Sequence, residues 1–170
     1  SMQLVTGFSP DDKWDLKDSE TGKAYKICVD IRKDKERMMM REFTPYNMIY
    51  MVGDAAPGGW TIDNATAMTA TDNPYIFTWT GTLNAGELKF SCDRQSDWMG
   101  AWFLCANGND VEPTGQTEKA LFVNKSDDYL KAEYKDVDIT SIDQKWKITT
   151  SGTYKITLNQ LEETISIVKQ

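Results

Sequence analysis

The chain has no histidine among its 170 residues. Without one there is no ordinary general base near neutral pH, no imidazole metal ligand, and no Ser–His or Cys–His nucleophile pair. Cysteine is scarce as well: Cys28, Cys92 and Cys105 form no CxxC pair and have no histidine to complete a zinc site. Cys92 could bridge to Cys105 if their strands lie side by side, but buried thiols are the simpler expectation. No apolar run is long enough to span a membrane, and there is no signal-peptide core. Ser1-Met2 reads as a cloning remnant, so the missing signal says nothing about compartment. Positive charge is also in short supply, with 19 basic against 26 acidic residues. The formal charge of −7 disfavours a nucleic-acid partner and a polybasic attachment to anionic lipid.

What is present is a core-forming composition, 40% hydrophobic and 11% aromatic, in a length that suits one domain or one domain with a fragment of a second. Alternating apolar residues predict strands at 24–31, 36–43, 49–53, 76–83, 87–93, 101–105, 121–124, 145–149, 153–159 and 164–169, with another around Val137–Ile139. Residues 3–22 are polar and turn-rich, with Trp14 as their one large anchor. No segment carries a sustained helical stripe with caps, so no helix is expected. Short strands at regular spacing predict an all-β fold, an antiparallel β-sandwich of immunoglobulin-like or carbohydrate-binding-module-like type.

One internal repeat stands out. Trp14…Gly-Lys-Ala-Tyr25-Lys-Ile-Cys-Val-Asp resembles Trp146…Ser-Gly-Thr-Tyr154-Lys-Ile-Thr-Leu-Asn, and each copy leads through a charged tip into an apolar strand. The expected division is therefore 1–45, a hairpin that ends a preceding module or adds to the sandwich, and 46–170, the sandwich itself. The tandem reading implies that Trp14 and Trp146 hold equivalent structural positions.

Catalysis finds little support. Asp54, Asp63, Glu87, Asp93, Asp97 and Glu112 stand in no motif that would pair an acid with a base across a cleft. Asn107-Gly108-Asn109-Asp110 offers oxygen atoms but lacks the spacing of an EF-hand loop, and a plain turn explains it. No enzyme activity, metal site or cofactor is expected. Binding is better supported. Ile49–Trp60, IYMVGDAAPGGW, reads as a strand that runs into a glycine-rich turn and presents an indole. Trp60 is then either a surface platform or a plug over the strand end. Trp98 and Trp102 also fall in loop-like sequence, four residues apart, although Trp102-Phe103-Leu104 also reads as strand core. Trp79 belongs to the core by parity with Phe77. Sugar rings offer an apolar C–H face to an indole and hydroxyls to a cation, and Lys89 and Arg94 lie near these tryptophans in sequence.

IYMVGDAAPGGW, the WTGTLNAGELKFSCD hairpin, the DWMGAWF stretch and the ending KWKITTSGTYKITLNQLEETISIVK together resemble modules of the SusE/SusF family of cell-surface starch-binding lipoproteins. The resemblance covers roughly residues 46–170. It implies a non-catalytic sandwich that holds polysaccharide or oligosaccharide, with a starch-like glucan as first guess. It also implies an outer-membrane, cell-surface location through a lipid anchor. Neighbouring glycan-binding proteins and an outer-membrane transporter of an uptake system would then be partners. Carried over residue by residue, the sugar site falls on Trp60, Lys89 and Trp98, with Trp102 and Arg94 as further contacts. The alternative is a module that acts only as a spacer or protein–protein element of the same assembly.

Overall fold

The computed structural model describes residues 14–133 and 136–170; the expectations for Ser1-Met2 and for most of the polar segment 3–22 lie outside them. The chain divides into two compact units, Ser1–Thr44 and Pro45–Gln170. The first holds an antiparallel hairpin, β1 (Tyr25–Asp30) and β2 (Arg37–Glu42), in register from Tyr25 opposite Glu42 to Asp30 opposite Arg37. Asp30 closes the tip by accepting from the Arg32 guanidinium at 2.6 Å.

The second unit is the predicted antiparallel β-sandwich. Its strands are β3 (Tyr50–Val52), β4 (Thr66–Ala67), β5 (Thr69–Ala70), β6 (Ile76–Leu83), β7 (Gly86–Ser91), β8 (Ala101–Cys105), β9 (Thr117–Asn124), β10 (Trp146–Ile148), β11 (Gly152–Asn159) and β12 (Thr164–Lys169). They follow one hydrogen-bonded path, β4-β3-β7-β8-β9-β12-β11-β6-β5, with β10 paired to the start of β7. Two strands make the corners of the sandwich. β9 pairs with β12 through its first residues and with β8 through its last, so it belongs to both layers. At the other corner β4 and β5 are separated only by Met68, which is buried and donates its N–H to the Ile49 carbonyl.

The layers enclose one core. Met51, Leu88, Phe90 and Phe103 from one sheet meet Phe77, Leu83, Ile156, Leu158 and Ile167 from the other. Each fully buried aliphatic or aromatic side chain of this kind contributes about 1.5–3 kcal/mol. Trp146 is fully buried edge-on to Phe90, with its indole N–H donating to Glu118 Oε1 at 2.7 Å. Trp79 packs partly buried against the same core, as its parity with Phe77 predicts. Cys92 and Cys105 carry buried thiols with no disulfide between them, and burial pushes the Cys105 thiol up.

Two local expectations change. Asp128–Glu133 forms a one-and-a-half-turn helix, α1, too short for a periodic stripe to announce it. The stretch near Val137 is a 3₁₀ turn, Ile139–Ser141, because the Asp138 carboxylate accepts from the Thr140 N–H and turns the backbone. Among the described residues, no helix is long and apolar enough to cross a membrane.

Candidate functional site

Strand parity places the site. On β7, Leu88 and Phe90 point into the sandwich, so Lys89 lies on the opposite face of the sheet. That face is not bare. Val52, Trp102, Leu104 and Val123 form a second cluster on it, roofed by Ile62, Ala65, Trp98 and Ile142. Both faces of β8 are thus covered, which is why every residue from Ala101 to Cys105 is buried. Lys89 is trapped in this layer at 4% exposure.

A buried ammonium needs compensation, and it has two kinds here. Its Nζ donates to Asp143 Oδ1 at 2.5 Å, and it lies 4.3, 5.4 and 5.8 Å from the ring centroids of Trp102, Trp98 and Trp60. Cation–π contacts at this range contribute about 0.5–2 kcal/mol each where water is excluded. Asp143 is delivered by Ile142, which packs into the second cluster, and it also accepts from Lys145 at 3.3 Å. Burial raises the Asp143 pKa, but the hydrogen bond from Lys89 and the charges of Lys89, Lys145 and Lys125 outweigh it and hold the carboxyl below its usual range.

Trp60 is set by the loop that precedes it. Gly53 donates to the Gly59 carbonyl at 3.0 Å and Gly59 to the Ala56 carbonyl at 3.1 Å, so the loop closes on itself. Gly59 has φ +64°, and a Cβ on Gly58 would collide with the Asn64 carbonyl, so side chains are excluded at both positions. Trp60 emerges at the end of this turn, 38% exposed, as a rim residue and not a plug.

Trp98 sits in a longer loop held by its own side chains. Asp93 accepts from the Ala101 N–H, Asp97 from the Met99 N–H, and Ser126 joins Gln95 to Gly100. Trp98 itself has φ +64°, a conformation that costs a bulky residue about 1–3 kcal/mol and clusters at functional sites. The strain turns its indole onto Trp102, stacked at 6.0 Å and 8°. Trp60 stands at 6.3 Å and 51° to Trp98, making a two-plane cradle.

Beneath this cradle is an open hollow of about 380 Å³ lined by Trp60, Lys89, Trp98, Met99, Lys125, Thr140 and Asp143. Three of the sequence-predicted residues, Trp60, Lys89 and Trp98, come together there. Trp102 is fully buried and serves as the surface on which Trp98 rests. Arg94 is exposed over the Tyr50 ring at 4.3 Å, does not line the hollow, and reaches the Asp63 carbonyl at 3.4 Å. The Asn107–Asp110 turn is used within the fold, with Asn109 Oδ1 accepting from the Lys145 N–H.

Residues 48–166 match the family model described as SusF/SusE starch specific CBMs, that is, carbohydrate-binding modules. The chain belongs to this family. No curated protein and no solved structure matches it. The matched span of the SusF/SusE module includes every residue that lines the hollow and leaves out the β1–β2 hairpin. Within the module, sequence reasoning missed Asp143, Lys125, Thr140 and Met99. Asp143 and Lys125 lie in polar stretches that read as solvated surface, and only packing of distant segments covers them.

Proposed function

We propose that the hollow binds a polysaccharide segment without turning it over. Trp60 and Trp98 stack on consecutive sugar rings, and Lys89 donates to their hydroxyls. The observation that carries this reading is the tilted indole pair over an ammonium locked by Asp143. Such a site is already arranged before the ligand arrives, which lowers the cost of binding. Planes at 51° follow a chain that curves, which supports an α-glucan of the starch type over a flat ribbon. Family membership supports the same substrate.

In the full-length protein, the module is part of a lipid-anchored assembly on the outer surface of a bacterial outer membrane. It holds glycan there for a transporter and neighbouring binding proteins. The first unit is the closing hairpin of another such module. In β11 the repeated Tyr154, Ile156 and Leu158 are buried, whereas Ile27 and Val29 of β1 are 58% and 56% exposed, an apolar face that suits a sandwich core. Several weak sites on one anchored chain then gain from avidity.

Acrylamide quenching of tryptophan fluorescence tests the binding reading. Maltoheptaose should shield an accessible fraction of the emission in the wild type, and Trp60→Ala should lose that shielding. Unchanged quenching across starch, xylan, dextran and inulin oligosaccharides contradicts the reading.

A further inference from the structure

Lys125 is the least expected residue in the hollow. It follows β9 directly, its N–H donates to the Gly100 carbonyl at 2.7 Å, and only 4% of the residue is exposed. It lines the hollow together with Lys89 and Asp143. Among the described residues, its ammonium has no ion pair and no hydrogen bond. The nearest compensation is already committed. Asp143 is shared between Lys89 at 2.5 Å and Lys145 at 3.3 Å, and Asp138 accepts from both the N–H and the hydroxyl of Thr140.

Lys89, Lys125 and Lys145 therefore outnumber the Asp143 and Asp138 carboxylates that act on them by one positive charge, and Lys89, Lys125 and Asp143 line the hollow, in a protein whose formal charge is −7. A neutral sugar could take hydrogen bonds from Lys89, but its hydroxyls would leave the Lys125 charge unbalanced. A carboxylate or sulfate on the ring would balance it through a charge-assisted hydrogen bond. We propose that this module takes a glycan whose ring carries an acidic group, with Trp60 and Trp98 holding the ring and Lys125 receiving the anionic oxygen. The inference rests on the glycan-binding reading and departs from neutral starch in the substituent, not in the way the ring is held.

The state of the free protein agrees with the geometry. Burial holds the Lys125 pKa below the ordinary lysine value, and Lys89 and Lys145 push it the same way, against Asp143 and Asp138. An anionic ligand restores the proton, so binding at alkaline pH takes up protons, and affinity falls as pH rises through the depressed pKa.

Calorimetry on the whole chain with matched ligands provides the test. Amylose oligosaccharides are compared with their C6-oxidised (uronate) and sulfated forms, polygalacturonate with its carboxyl-reduced form, and chondroitin sulfate with its desulfated, carboxyl-reduced form. At least one acidic chain should bind about tenfold or more tighter than its neutral counterpart. The uronate and sulfate arms show which acid is preferred. Lys125→Met should abolish the gain, whereas Lys155→Met, at an exposed position on β11, should keep it. Proton uptake is read on the wild type at alkaline pH, by varying the ionisation enthalpy of the buffer, so the test survives if Lys125→Met fails to fold. Neutral chains that bind as tightly as acidic ones, a gain that survives Lys125→Met, or acidic binding without proton uptake would each overturn the acidic preference while leaving glycan binding intact. No binding to any chain would overturn the glycan reading itself, and this inference with it.

Discussion

At the scale of single residues, four of the five tryptophans of the second unit divide by what their rings touch. Trp146 fills the core, Trp102 carries Trp98, and Trp60 and Trp98 border the hollow. Trp102→Ala removes a fully buried indole and should cost about 3–5 kcal/mol in urea unfolding, with sugar binding lost as well. Trp60→Ala, at the rim, should stay within about 0.5 kcal/mol of wild type in the same experiment. The pair Lys89–Asp143 sets a pH dependence. Because the Asp143 carboxyl titrates below its usual value, its contribution is fully present above the unfolded pKa and is lost as pH falls through the folded one. A carboxyl-detected NMR titration should show Asp143 titrating below 3.8, with the Trp98 and Trp60 indole signals shifting in the same step. A titration at or above the usual value contradicts the assigned pairing.

At the scale of elements, the loops carry the site and the strands hold the loops. Strand β7 places Lys89, the Gly53–Gly59 turn places Trp60, and the strained loop before β8 places Trp98. Gly58→Ala should therefore act on binding out of proportion to its size. A methyl against the Asn64 carbonyl forces the turn to open, costing about 1–3 kcal/mol and moving Trp60 off the cradle. Chemical shifts of β11 and β12 should stay in place while glycan affinity falls, and unchanged affinity contradicts the role given to the turn. Much of this was legible beforehand. Alternation in IFTWTGTL and TYKITLN marks half-buried strands, and indoles among Gly and Asp mark the loops that bring rings to the hollow. What parity could not say is that the outer face of β8 has a roof of its own, so Trp102 looked like a possible contact. The corner at Met68 was hidden because two-residue strands are too short to show a period. Lys125 and Asp143 were hidden because nothing in a polar stretch announces that Gly100 and Ile142 will draw it inward.

At the scale of the molecule, both hydrophobic clusters lie in the second unit, within residues 45–170. That unit has its own core and should fold without the hairpin. A chain of residues 45–170 is expected to give a single cooperative unfolding transition and the same indole signals for Trp60 and Trp98 as the longer chain. Broad, non-cooperative unfolding would show that the hairpin is needed. The family match, residues 48–166, falls within the second unit.

The central claim is that a glycan sits on the Trp60–Trp98 cradle, and electrophoresis in native gels tests it most directly. Gels are cast with amylopectin, pullulan, dextran, inulin, xylan, polygalacturonate or mucin glycans, with Trp60→Ala run beside the wild type. The account predicts retardation of the wild type in at least one gel and free migration of Trp60→Ala in that same gel. Retardation that survives Trp60→Ala, or equal migration of both proteins in every gel, contradicts it.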